Sequence, residues 1–127
     1  QALSTPRDIN LINATTLGVS EYGNDKVLRF GNDLNSVASW LSQAVNNPTN
    51  FAYSSTGNTY VTDQTAGTPR VHVINSSGDL IYSFGKNGNG IDRGEFTEPY
   101  GIAIIQNDLY VTDRTNNYII RFRTGAW

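Results

Sequence analysis

Apolar residues fall along this chain in short runs, and the clearest set lies between Pro99 and Phe122. Ile102, Ile104 and Ile105 make one run, Gln106, Asn107 and Asp108 interrupt it, and Leu109, Tyr110 and Val111 begin another that stops at Thr112 and Asp113. After the polar stretch from Arg114 to Asn117, the residues Tyr118, Ile119, Ile120 and Phe122 make a third. Runs this short, rich in β-branched and aromatic residues and bounded by Asn and Asp, predict strands rather than helices.

The same pattern occurs in three copies, opened by Pro6, Pro48 and Pro99. An apolar residue follows each proline at the third and fifth places: Ile9 and Leu11, Phe51 and Tyr53, Ile102 and Ile104. The second strand ends on an acid every time, at Glu21, Asp63 and Asp113. Third strands read Val27 to Phe30, Val71 to Ile74 and Ile119 to Phe122, and two copies add a fourth, Val37 to Leu41 and Leu80 to Phe84. Four strands at a period of roughly 40 to 50 residues is the pattern of a propeller blade. The third copy reaches Trp127 before a fourth strand begins. The expectation is therefore an all-β partial β-propeller of repeats 6–47, 48–98 and 99–127, two full blades plus a three-stranded third, eleven strands in all.

The run from Phe84 to Phe122 closely resembles the NHL repeat of β-propellers. In that family a glycine-rich loop leads through Phe and Pro, here Phe96 and Pro99, into Gly101-Ile102-Ala103 and then Tyr110-Val111-Thr112-Asp113. The chain departs from the family before the third strand, where the usual Asn-His-Arg is replaced by Asn24-Asp25-Lys26 and Asn116-Asn117-Tyr118. In the second copy that loop is longer and carries Pro69. The resemblance implies a module of NHL-like blades, a half-propeller over 1–127.

Composition narrows the function. The formal charge is −2 and the nine Lys and Arg are scattered singly, so the basic face that nucleic-acid binding needs is not indicated. No apolar run approaches the roughly 18 residues of a membrane-spanning helix. The chain has no cysteine and one histidine, His72, and no Gly-x-Ser-x-Gly elbow. A thiolate metal site is thereby excluded, and no nucleophile or multi-His metal constellation is in view. No catalytic residue, metal or cofactor is expected. His72 aligns with Leu28 and Ile120 and is read as an inter-blade core residue. The repeating acids Glu21, Asp63 and Asp113 are read as turn-formers, because Asp commonly accepts backbone N–H bonds in the turn that follows it. Asn87 to Asp92 lacks the ligand spacing of a calcium loop.

Two sequons, Asn13-Ala14-Thr15 and Asn75-Ser76-Ser77, mark Asn13 and Asn75 as N-glycosylation candidates. With the absence of Met and a first residue Gln1, which fits either removal of a leader or a piece of a longer chain, they favour an extracellular location. In a propeller both asparagines fall in hairpins of one face, which leaves the opposite face for partners. The candidate contacts there are Tyr22 and Tyr100, which fall outside the strand pattern, together with Arg93 and Arg114. Three blades leave apolar faces at both ends, so self-association is expected, as a dimer closing a six-bladed ring or as a filament. The edge of the strand from Tyr118 to Phe122 is left open for strand addition. The reading is an extracellular binding or assembly module with a protein or glycan ligand. Its alternatives are a lectin-type propeller and a fragment of an NHL-type lyase or lactonase.

Overall fold

β-Branched and aromatic residues alternate with small polar ones, and short Asn- and Gly-bearing turns divide the chain into meanders. The structure, a computed structural model, describes residues 3–31, 33–34, 37–41, 45–90 and 94–123, with only the backbone of 37–41. Strands β1 (Pro6–Asn13), β2 (Thr16–Glu21), β3 (Lys26–Gly31) and β4 (Val37–Leu41) pair in that order into one antiparallel sheet. Strands β5 (Pro48–Tyr53), β6 (Thr59–Asp63), β7 (Arg70–Ile74) and β8 (Leu80–Phe84) make a second of the same kind. After β9 (Lys86–Asn87) and β10 (Glu95–Phe96), the strands β11 (Pro99–Ile105), β12 (Asp108–Asp113) and β13 (Tyr118–Arg123) form a three-stranded third.

Two expectations are corrected. The connector after β8 contains the parallel pair β9 and β10, so the described residues form thirteen strands where eleven were expected. It folds back on itself because Gly88 donates its N–H to the Phe96 carbonyl at 3.2 Å and Gly90 donates its own to Glu95 Oε2 at 2.9 Å. Tyr100, placed by the sequence outside the strands, belongs to β11, whereas Tyr22 opens a single 3-10 turn, Tyr22–Asn24.

The first strands β1, β5 and β11 lie side by side, with β5 in contact with both of the others. Because side chains alternate across a strand, each sheet has two apolar faces, and two seams result. The seam between the first and second sheets holds Ile12, Val27, Val45, Phe51, Val61 and Ile74. The seam between the second and third holds Tyr60, Val71, Val73, Phe96, Leu109, Val111 and Ile120. A smaller cluster of Val19, Leu28 and Phe30 lies on the far face of the first sheet.

Close approach across the first seam depends on Gly18, since a Cβ there would lie 2.6 Å from the Phe51 ring. Phe51 is 1% exposed, and burying such a side chain is worth about 1.5–3 kcal/mol. Each seam is also plugged from its connector. Val45 and Phe96, each three places before a blade-opening proline, are 2% and 0% exposed, and the far end of the Phe96 ring fills the space that a Cβ at Gly85 would need. Leu3 holds that place before Pro6 and is 38% exposed.

Candidate functional site

The recurring acids organise one end of every sheet. Ser4 N–H donates to Glu21 Oε1 at 2.8 Å, Asn46 N–H to Asp63 Oδ2 at 3.1 Å and Thr97 N–H to Asp113 Oδ2 at 2.8 Å. All three donors stand two places before the blade-opening proline, so each acid grips the segment leading into its own blade. Asp63 also accepts from Thr65 N–H, and Asp113 from the N–H groups of Glu98, Thr115 and Asn116. These are turn-forming contacts. Burial alone would raise the Asp113 carboxyl, but the converging N–H donors outweigh it and hold it below the usual Asp range. Asp63 is lowered in the same way against its own burial, with His72 the first of its donors.

The residue after each acid is set by a second repeated bond. Tyr22, Gln64 and Arg114 donate their N–H groups to the carbonyls of Thr5, Asn47 and Glu98, at 3.1, 3.2 and 3.0 Å. Their side chains therefore emerge at equivalent places on one end of the molecule. The residues just after the opening prolines, Arg7, Thr49 and Tyr100, lie at the same end. In the first blade the Arg7 guanidinium sits over the Tyr22 ring, 4.5 Å from its centroid. In the third the order is exchanged, and the Arg114 guanidinium sits 4.7 Å over the Tyr100 ring.

Glu98 fixes Arg114 by accepting from both Nε, at 3.1 Å, and the guanidinium Nη2, while Thr115 Oγ1 donates to the same carboxylate at 3.0 Å. The hydrogen bond from Arg114 is the main cause of a lowered Glu98 carboxyl, against a smaller opposing effect of burial. Glu98 in turn raises Arg114, opposed by desolvation, with smaller contributions from the Tyr100 and Tyr22 phenols. The repeated backbone bonds put the two Arg–Tyr pairs on the same end of the first and third blades, here called the mouth. Gln64, at the second blade's equivalent place, has a buried side-chain Nε2 without a hydrogen-bond partner among the described residues.

Of the expected contact residues, Tyr22, Tyr100 and Arg114 share this mouth, and Arg93 lies outside the described residues. Arg7, Gln64 and Glu98 were missed. Their signal was positional, since they stand beside the repeating prolines and acids. Asn13 and Asn75 lie in the β1–β2 and β7–β8 turns. The meander order puts both turns at the end away from the mouth. There Asn13 Oδ1 accepts from Thr15 N–H at 2.9 Å and Asn75 Oδ1 from Ser77 N–H at 3.0 Å.

His72 is buried, as expected of a core position, but both ring nitrogens are engaged. Nε2 lies 2.8 Å from Asp63 Oδ2 and Nδ1 lies 2.7 Å from Ser83 Oγ. Asp, His and Ser in a row have the composition of a hydrolytic triad. Here Ser83 faces His72 directly across β7 and β8, and Asp63 is committed to the connector, so the row ties β6, β7 and β8 together. Among the described residues no three or more His, Cys, Asp or Glu are grouped to hold a metal ion, and no helix is long and apolar enough to cross a membrane.

No family model and no curated protein matches the chain. Solved structures do. A chain of a nidogen/laminin complex superposes with a TM-score of 0.64 at 16% identity, covering 98% of this chain and 61% of that one. Catalytically inactive virginiamycin B lyase from Staphylococcus aureus, solved with quinupristin, gives 0.59 at 18% identity, covering 98% and 43%. Both are β-propellers. The chain has the fold of a partial β-propeller. It spans less than two thirds of the length of either structure.

Proposed function

We propose that residues 1–127 form an NHL-like half-propeller that serves as an extracellular, non-catalytic binding module, completing its ring by self-association and presenting the acid-clamped mouth to a protein ligand. The observation that carries this reading is the reciprocal pair of Arg–Tyr stacks, Arg7 on Tyr22 and Tyr100 under Arg114, each joining a strand residue to the turn after an acid. Tyr and Arg are, with Trp, the side chains enriched among the residues that anchor protein interfaces. The unpartnered Gln64 Nε2 supplies one more donor at the same place. A similar propeller is part of a nidogen/laminin complex, which favours protein as the ligand class. The sequons at Asn13 and Asn75, at the opposite end, leave the mouth clear of glycans and favour a secreted protein.

A lectin reading competes on the same tyrosines. Each ring already carries a guanidinium on one face, which leaves a single face for a sugar. The test is selection of protein-domain binders from a display library, followed by the double variant Tyr22→Ala, Tyr100→Ala. Selected binders should lose at least about tenfold in affinity for a variant whose melting temperature is unchanged. Binders indifferent to the variant, or a glycan-array signal that disappears with it, would overturn the protein reading. Expression through a secretory route followed by N-glycanase tests the location. A mass shift that Asn13→Gln and Asn75→Gln each reduce is expected, and no shift counts against it.

A further inference from the structure

The two outer faces of the molecule are halves of the same seam. Across the first internal seam Ser20 Oγ donates to the Thr49 carbonyl at 2.7 Å, and across the second Thr62 Oγ1 donates to the Tyr100 carbonyl at 2.9 Å. Both acceptors follow a blade-opening proline, where the strand departs from regular register between Pro48 and Phe51 and between Pro99 and Ile102. That irregularity releases the carbonyl from its own ladder and turns it toward the preceding blade. The third blade carries the next hydroxyl, Thr112. It is exposed, accepts from Gly101 N–H at 2.8 Å, and has no acceptor for its own proton among the described residues. The first blade carries the corresponding acceptor, the carbonyl of Arg7, inside the same kind of irregularity between Pro6 and Asp8.

The apolar surfaces match in the same order. Val27 and Val71, 0% exposed, fill the internal seams, and their equivalent Ile119 is 62% exposed. Phe51 receives Val27 and is 1% exposed, and its equivalent Ile9 is 62% exposed. Grooves of about 360 and 220 Å³ run along the open face of the first blade between Leu3, Ile9, Val19 and Phe30. Leu3 is the plug that has no seam to fill.

Building on the self-association proposed above, we propose that the occupant of each open face is a second copy of this chain. The third blade of one copy packs on the first blade of the other. Thr112 Oγ1 donates to the Arg7 carbonyl of the second copy, and Ile119 enters the groove formed by Ile9, Val19 and Phe30 over Leu3. The contact occurs twice about a twofold axis. Two times three blades gives six, within the roughly four-to-eight range in which propellers close.

Native mass measurement of the full chain should give twice 13.9 kDa. Ile9→Glu and Ile119→Lys each place one charge in an apolar seam, and each should weaken the dimer by about 100-fold or more. Both side chains are exposed in the single chain, so strand circular dichroism should persist. Mixing the two variants should restore a dimer, because one seam is then native and the other sets Lys opposite Glu. Thr112→Val, which leaves both apolar faces intact, should weaken the dimer by about tenfold. A folded monomer at all concentrations would overturn self-association itself. A dimer that ignores both charges, or that mixing fails to restore, would overturn this contact alone, and so would open filaments.

Discussion

Phe51 and Ile9 occupy the same register place in neighbouring blades, and they differ from 1% to 62% in exposure. Val71 and Ile119 make the same contrast, 0% against 62%, at the other end of the array. Neither difference lies in the local sequence, since all four are apolar strand residues pointing toward where a neighbouring blade would stand. What differs is whether a neighbouring blade stands against them among the described residues. A blade is thus defined from its own strands, but its core is completed only by the next blade, as in any array in which each repeat buries its face on its neighbours.

The largest contrast should appear on truncation. Phe51→Ala is expected to cost about 3–5 kcal/mol in urea unfolding, whereas Ile9→Ala under conditions that keep the chain monomeric should stay within about 0.5 kcal/mol. Equal costs would mean that the first blade's outer face is already covered. Overpacking comes next. Gly18→Val drives a side chain into the Phe51 ring and should cost about 1–3 kcal/mol, and adding Phe51→Leu should recover part of it. No recovery would mean that the strain is borne by the backbone.

Removing a hydroxyl from a formed seam should cost less. Thr62 Oγ1 donates to the Tyr100 carbonyl and accepts from Asn50 N–H, so Thr62→Val should destabilise by about 1–3 kcal/mol. Thr112→Val in the monomer gives up only the exposed bond from Gly101 N–H and should cost less, about 0.5–1 kcal/mol, and a loss matching that of Thr62→Val would erase the difference between closed and open seams. The smallest effect is acid sensitivity. Asp63 and Asp113 have lowered folded pKa values. Their stabilisation is therefore present above the unfolded Asp value of about 3.9 and is lost as pH falls through the depressed folded values. Asp113→Asn should flatten that acid decline in pH-dependent melting, and an unchanged profile would remove Asp113 as its source.

Most of the fold was legible because strands leave a period-two trace and each copy restates it. Leu80 to Phe84 was read as a strand from its apolar run alone and is one. What escaped detection lay between strands or across them. The pair β9 and β10 is held by glycine N–H groups and the Glu95 carboxylate rather than by side-chain pattern, so periodicity could not find it. His72 was placed in the core correctly, but its bonds to Asp63 and Ser83 follow from cross-strand register, which a single strand does not display. At the mouth, Tyr22, Tyr100 and Arg114 stood out as aromatic or cationic residues near loops. Arg7 and Glu98 did not, because the exchanged Arg–Tyr order hides the equivalence of the first and third blades.

The residue that seals each seam belongs to the connector of the blade that follows, and that blade's own acid holds the connector in place. Seal, clasp and sheet are consequently inherited together as one continuous stretch of sequence. Duplicating or deleting such a stretch transfers a finished joint with it and leaves the joints on either side unaltered. In a lineage built this way the number of blades can change in single genetic steps, while the wall between any two blades keeps its ancestral design.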